Sequence, residues 1–420
     1  MARLQENRQG HRQEVQPLST SGRGSDEAAT GEVAAVAARP ETDAAVRLPT
    51  RSTWILFCYL AIWGYVLYGL GNAVPYLRAD LRLTDFEAGL HSSAVAIGVL
   101  AAALSASRLN RWIGSRWLPD LAAADLIFAI GLVILAPSLP VSLAGALLIG
   151  FGGGTLGIDV NYRLGRAGGP ETRKLLAQGN AVAMIAAASA PVAIGLATSG
   201  LHAWRVALLV PIAGYLALTA VRTREPAAQT SVRSPTTPLP GAYRFAWLLL
   251  LLGVSIEFSF VYWSSTIIAS RTGVSSAEST LLASLFVAGM FVGRAAIGRG
   301  LGANRAPRRL LAVGLCGAIA GASLMWVSTM PALSAIGLFV GGLGTAGLWP
   351  VGLSVALQTS PNARLKAAAW ATVASGFATL LAPSALGLAA DIVGVAGAWP
   401  IVMCLAAAAL LVLAVTPRAR

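Results

Sequence analysis

RTREPAAQTSVRSPTTPLPG, running from Arg222 to Gly241, is polar, charged and rich in proline, and it divides two stretches of a quite different kind. Upstream lie six apolar runs, approximately 54–76, 87–107, 118–136, 141–161, 174–199 and 204–221. Downstream lie six more, at 244–269, 279–298, 309–328, 332–358, 366–390 and 396–416. The first, Trp54–Tyr76, reaches ~34 Å as a helix, against a bilayer hydrocarbon core of ~30 Å. Lipid offers no hydrogen bonds to an open backbone, so each run is expected to be helical. The expected fold is therefore an all-α integral membrane protein of 12 transmembrane helices, arranged as two six-helix pseudo-symmetric halves.

Composition points the same way. Of 420 residues, 56% are hydrophobic and 12% charged, where a soluble domain carries about 25% charged residues. Cys58, Cys316 and Cys404 all fall inside apolar runs and read as small packing residues, without disulfide or metal spacing. Residues 1–50 are polar and lack aromatics, which predicts a disordered cytoplasmic tail. They contain no apolar core of a secretory signal peptide. The expected organisation is 1–50 tail, 51–221 first half, 222–243 cytoplasmic linker, 244–416 second half and 417–420 cytoplasmic C-terminus.

The net charge of +13 raises the question of nucleic acid. Its distribution answers it. With the tail inside, the inner connections hold 17 Lys and Arg residues and the outer connections 4, namely Arg78, Arg82, Arg205 and Arg271. That asymmetry is the positive-inside signature of a multi-pass protein. It predicts both termini in the cytoplasm, a plasma (inner) membrane location and no nucleic-acid partner.

The two stretches also echo one another. APVAIGLA, Ala190–Ala197, returns as APSALGLA, Ala382–Ala389, 192 residues on, and Trp204 and Trp399 follow the two copies. Both lie at the outer end of the fifth span of their half. Arg108 and Arg299, after the second span of each half, are 191 apart. Halves of equal topology about an axis along the membrane normal are a transporter architecture.

On this pattern the sequence resembles the major facilitator superfamily over roughly residues 52–416. Six plus six spans and the long central linker carry the resemblance, with HAWRVALL opening span 6 and SRLNRWIGSR, Ser107–Arg116, between spans 2 and 3. The family motif at that loop reads approximately G-x-L-x-D-R-x-G-R-R. Leu109, Gly114 and Arg116 match it, whereas Ser107, Arg111 and Trp112 stand where Gly, Asp and Arg are expected. A weaker second copy lies in GRAAIGRGLGANRAPRR. The resemblance implies that Arg108, Arg111 and Arg116 gate the inner side against Asp159, near the inner end of span 4. The plainer alternative for Asp159 is a partnership with Arg163, one helical turn away. The Pro191 region resembles the small-residue and proline pattern of proton-antiporting members, but its recurrence in span 11 favours helix packing. GFGGG, Gly150–Gly154, is likewise read as close packing.

Ionisable groups inside spans are costly and mark function by default. Glu257, 13 residues into span 7 in GVSIEFSFVYWSS, is the leading proton-coupling candidate. Asp125 of span 3 is a second, with a structural role as its alternative. For solute contact the sequence offers Tyr65, Tyr68 and Asn72 on one face of span 1, Asn180 on span 5, Tyr262 and Trp263 on span 7, and Trp349 before the helix-breaking Pro350 on span 10. The 192-residue offset sets Tyr65 opposite Glu257. Arg294 sits near the inner end of span 8, so no basic residue is expected at the centre and a neutral or cationic solute is favoured. Asp391 is expected to be solvated.

The expected function is secondary active transport of a small organic solute by alternating access, proton-coupled, with no cofactor or metal and the chain acting as a monomer in the lipid bilayer. Efflux antiport and uncoupled facilitation remain alternatives within that class, and a transport-inactive sensor lies outside it. An enzyme is disfavoured: His11, His91 and His202 are scattered, and neither metal spacing nor a phosphate-cradling motif is present.

Overall fold

The computed structural model describes residues 50–165, 169–222, 238–297, 307–360 and 363–416. The expected tail, most of the linker and the last four residues lie outside them. Every regular element among the described residues is helical: α1 (Arg51–Leu81), α2 (Asp85–Ile113), α3 (Leu118–Ile134), α4 (Leu139–Gly165), α5 (Gly169–Leu201), a 3₁₀ turn (Trp204–Leu208) and α6 (Leu209–Val221) precede the linker. After it come α7 (Tyr243–Thr272), α8 (Ser276–Ala296), α9 (Pro307–Val327), α10 (Pro331–Thr345), α11 (Leu348–Gln358), α12 (Arg364–Ala398) and α13 (Pro400–Val415). A helix stands at each of the twelve expected places. Ten are long and apolar enough to cross a membrane, the segment Pro331–Gln358 counting as one. The other two, α3 and α13, are apolar but have 17 and 16 residues.

Local chemistry explains where helices begin and turn. Thr84 caps α2 through the Glu87 N–H while Glu87 reaches back to Thr84, and Ser275 and Glu278 do the same at α8. These reciprocal boxes satisfy donors a helix start leaves open. Both chain reversals before them use a left-handed residue, Arg82 at φ 54° and Gly273 at φ 70°. Thr84 and Ser275 are 191 positions apart, and so are Arg82 and Gly273. Pro350 would clash with the carbonyl four residues back and has no N–H to give it. The chain accordingly turns at Ala346–Gly347, which separates α10 from α11. Gly394, at φ 74°, kinks α12.

The echoed phrases serve helix approach. Gly195 of the first lies against Ala277 and Leu281 of α8, and Gly89 of α2 lies against the Pro383 carbonyl and Ser384 of the second. The pairs α5–α8 and α2–α12 thus join segments from the two sides of the linker. The tryptophans after each copy are anchors, with Trp204 Nε1 donating to Asp80 at 3.0 Å and Trp399 Nε1 to the Ala322 carbonyl at 3.0 Å. GFGGG behaves as expected: a Cβ at Gly150 would strike the Val95 backbone of α2, and one at Gly153 the Trp63 ring of α1.

Two large apolar clusters fill the interior. One is built by residues between Phe57 and Tyr215. The other draws on α7–α13 but takes in Tyr68, Val74, Ala88, Met184 and Ala187 from before the linker. Several hydrogen bonds cross the linker near the Thr84 end of α2 and the C-terminal end of α1. Ser93 bonds the Leu380 carbonyl at 2.5 Å and the Ser384 hydroxyl at 2.7 Å, and Tyr76 donates to the Ser276 carbonyl at 2.7 Å. Further in, Leu100 touches Gly376. Beyond that point α2 turns exposed, with Leu104 and Trp112 each 82% accessible. The helices α2 and α12 thus meet from Asp85 to Leu100, and α2 is exposed beyond Leu100.

Candidate functional site

Glu257 is buried near the middle of α7. Its Oε1 accepts a hydrogen bond from the Tyr68 hydroxyl of α1 at 2.6 Å, and its Oε2 faces Arg294 Nη2 of α8 at 3.8 Å. Three helices from both sides of the linker meet at one carboxylate. Arg294 lies deeper in the structure than its place near the inner end of span 8 predicts, because its long side chain carries the guanidinium to Glu257. The centre therefore does hold a basic group.

The position of Arg294 has a local cause. Pro350 leaves the Ala346 carbonyl without its intrahelical donor, and Arg294 Nε donates to that carbonyl at 3.3 Å. Nη1 contacts the Met184 sulfur of α5 at 3.1 Å. One guanidinium thus links α5, α7, α8 and the turn between α10 and α11.

Tyr68 rather than Tyr65 meets Glu257. The Tyr65 hydroxyl is spent on the Ala207 carbonyl at 2.9 Å. Tyr68 lies 189 residues before Glu257, so the 192-residue alignment aims at the wrong residue of α1. Asn72 donates to the Tyr68 carbonyl at 2.9 Å, while its own Oδ1 is buried without a partner, as is the Tyr262 hydroxyl. Buried polar atoms without partners are uncommon. Tyr262 and Trp263 line a small cavity with Val74, Pro75, Arg78, Ala88, Gly89 and Thr266. Trp263 also donates to the Pro383 carbonyl at 3.1 Å, tying α7 to α12. Trp349 is half-buried against a smaller cluster that includes Tyr243 and Leu250. Asn180 is exposed on α5 and bonds the Leu176 carbonyl at 2.8 Å.

Asp125 lies elsewhere. Its carboxylate packs on Gly152 of α4, and α3 makes its contacts with α2, α4, α6 and the 3₁₀ turn, whereas α7 packs on α1 and α8–α13. Beside the loop between α2 and α3, Arg163 Nε donates to Asp159 at 2.7 Å. Arg163 Nη2 then donates to the Ser115 carbonyl at 2.5 Å, fastening the loop between α2 and α3. Arg163 reaches Asp159 without leaving its helix, so the plainer alternative is the contact made. Among the described residues no ion pair joins Arg108, Arg111 or Arg116 to Asp159; the first two are exposed, and Arg116 lies over the Trp117 ring at 5.4 Å. The same loop is held by Arg222, which pairs with Asp120 through two 2.7 Å bonds.

Asp391 is engaged despite its exposure. Its two oxygens accept the Asp85 and Phe86 backbone N–H groups at 2.6 and 2.9 Å, capping α2 from α12. Neither oxygen is left to solvent alone, so the expectation of a merely solvated side chain fails. The signal was legible: a carboxylate at the outer end of span 11 opposite a helix N-terminus with two donors to spare.

No family model matches the chain. In sequence, it is 27% identical over 121 residues to Polyol transporter 5 of Arabidopsis thaliana, an alignment covering 27% of this chain and 22% of that relative. In structure, the likeness extends over nearly the whole helical unit. A variant of the nucleoside transporter NupG superposes with a TM-score of 0.73 at 16% identity, covering 87% of this chain and 98% of that one. A D-xylose-proton symporter gives 0.70 at 14% identity, covering 87% and 97%. A bacterial homologue of the human lysosomal transporter Spinster, inward-facing and occupied, gives 0.69 at 14% identity, covering 88% and 98%. The chain has the multi-pass fold of major facilitator transporters.

Proposed function

We propose that the chain carries a small organic solute across the membrane by alternating access, taking up and releasing a proton at Glu257. The observation behind this reading is the Glu257 carboxylate, buried in α7, bonded to Tyr68 at 2.6 Å and opposed by Arg294 at 3.8 Å. An ionisable group at such a depth is expensive, and this one is bonded from across the linker. Protonation discharges Glu257 and weakens its hold on both partners. That change at one atom biases the contact between the halves 51–221 and 244–416, which rock about it. Likeness in fold to a D-xylose-proton symporter and a nucleoside transporter supports solute transport as the class.

Asn72 and Tyr262, with their unpartnered polar atoms, are the solute-facing groups nearest in sequence to the Tyr68–Glu257 bond. Tyr65 and Trp263 act by holding helices, and Asn180 and Trp349 take contact roles on α5 and α11. Asp125 is a packing group of the first half. Arg108, Arg111 and Arg116 belong to the inner gate only in a state in which that side closes. The excess of inner basic residues supports both termini in the cytoplasm; the chain is proposed to work as a monomer in the plasma membrane.

The test is solute-induced proton movement in inside-out vesicles, wild type against Glu257→Gln, across sugar-like, cationic and anionic compounds. Proton flux in the wild type and none in the variant is expected, and its sign gives the direction. Equal solute movement in both without protons leaves an uncoupled facilitator. No movement of any compound despite correct insertion leaves the sensor.

A further inference from the structure

We infer that the solute carries a carboxylate, and that Arg294 is the group that binds it. This rests on the transporter reading and deepens it, reversing the neutral or cationic solute that the sequence favours. The guanidinium has five N–H donors in a planar fork. Among the described residues, Nε has the Ala346 carbonyl at 3.3 Å, and Nη1 has only a thioether, Met184, at 3.1 Å. The nearest carboxylate oxygen stands 3.8 Å from Nη2, outside hydrogen-bond reach. That carboxylate is drawn the other way by the 2.6 Å bond from Tyr68. Arg294 is held in place by neutral acceptors and left short of a close anion. Its side chain is 28% exposed while Glu257 is 8% exposed, so the cation and not the acid meets an incoming molecule.

Fork and charge together select a planar anion. A carboxylate matches two parallel guanidinium N–H groups, a recognition mode that a point charge does not reproduce. Charge balance then sets the coupling. With Glu257 ionised, the pair with Arg294 is neutral, and an added carboxylate leaves one uncompensated negative charge inside the membrane. With Glu257 protonated, the carboxylate replaces it as the counter-ion and the occupied site is neutral again. One proton is bound at Glu257 Oε2 for each carboxylate taken on at Arg294, and no covalent bond changes. By linkage, each ligand tightens the other's binding.

The experiment is a binding titration on the purified full-length protein, followed by thermal shift. The panel is lactate, succinate, benzoate and N-acetylglycine, each beside its amide, between pH 5.5 and 8. A carboxylate that binds, with its amide at least tenfold weaker, is expected. Its affinity falls with rising pH, by up to about tenfold per pH unit, as linkage to one proton requires. Glu257→Gln keeps the binding and loses the pH dependence. Arg294→Gln abolishes binding, and Arg294→Lys, which keeps the charge without the fork, weakens it more than tenfold. Should Arg294→Gln not fold, the lysine variant and the pH slope decide. Binding that survives in Arg294→Gln, binding within about tenfold of wild type in Arg294→Lys, an amide that binds as well as its acid, or a panel in which no carboxylate binds overturns the inference. Proton flux driven by a neutral solute and lost in Glu257→Gln removes the anion while leaving the transporter intact. Absence of any solute-driven flux removes the transporter itself.

Discussion

Replacing Asp391 by alanine should open the outer side. Its carboxylate takes the first two N–H groups of α2, from Asp85 at 2.6 Å and Phe86 at 2.9 Å. These donors have no partner within their own helix, and a negative charge at this end also suits the helix dipole. Hydrogen bonds to a charged group contribute about 1.5–3 kcal/mol each where water is excluded. Asp391 and Phe86 are exposed, so water replaces much of what is lost and the net effect falls to about 1–2 kcal/mol. That shifts the ratio of closed to open by a factor of about 5–30. The reporter is Thr266→Cys, in the cavity beneath the outer contacts, with the three native cysteines replaced and a membrane-impermeant maleimide added from outside. Labelling should accelerate by that factor in Asp391→Ala. Asp80→Ala is the control, since it removes an equally short 2.7 Å pair with Arg205 that lies wholly before the linker. A rate within twofold of wild type in a folded Asp391→Ala protein, or equal acceleration in the control, would refute the reasoning.

Three further outcomes follow from the packing. Arg163→Gln strands the buried Asp159 carboxylate and should cost about 3–5 kcal/mol, read as a lower melting temperature, while the exposed Arg108→Gln stays within about 0.5 kcal/mol. Gly150→Ala forces a methyl group into the Val95 backbone and should cost about 1–3 kcal/mol by overpacking, seen as lower monodisperse yield on size-exclusion chromatography. The α2–α12 register through Leu100 and Gly376 brings Leu104 to Thr372 one turn further in. A Leu104→Cys, Thr372→Cys pair should therefore crosslink in Asp391→Ala, whose outer side opens and inner side closes, and poorly in the parent. Equal crosslinking in both would remove this gate.

Much of the fold was legible because lipid imposes one rule on every span. Each run had to be helical, and only the breaks needed local chemistry. The caps were readable as well: TDFE and SSAE are capping boxes in plain sequence, and their spacing of 191 measures the repeat better than the apolar echo does. Apolar phrases tolerate slippage, since Ala, Leu and Gly pack in many registers. A capping box does not, because its hydrogen bonds join fixed positions. The lengths of α3 and α13 were less legible, as apolar runs do not stop where hydrogen-bonded helix does.

The site divides along the same line. Glu257 stood out because a charge in a span is rare, and that argument needs only its own surroundings. Arg294 was misjudged because position along a helix was taken for the position of the charge, and an arginine side chain moves its guanidinium by more than a helical turn. What aims it is the Ala346 carbonyl, and that acceptor exists only because Pro350, on another helix, cannot donate to it. The proline was noticed in the sequence as a helix breaker. Its second consequence, a carbonyl set free within reach of Arg294, belongs to the packing of α8 against α10. A break in one helix thus fixes the cation opposite the acid in another, and substitution at Pro350 should alter the site without touching either charge.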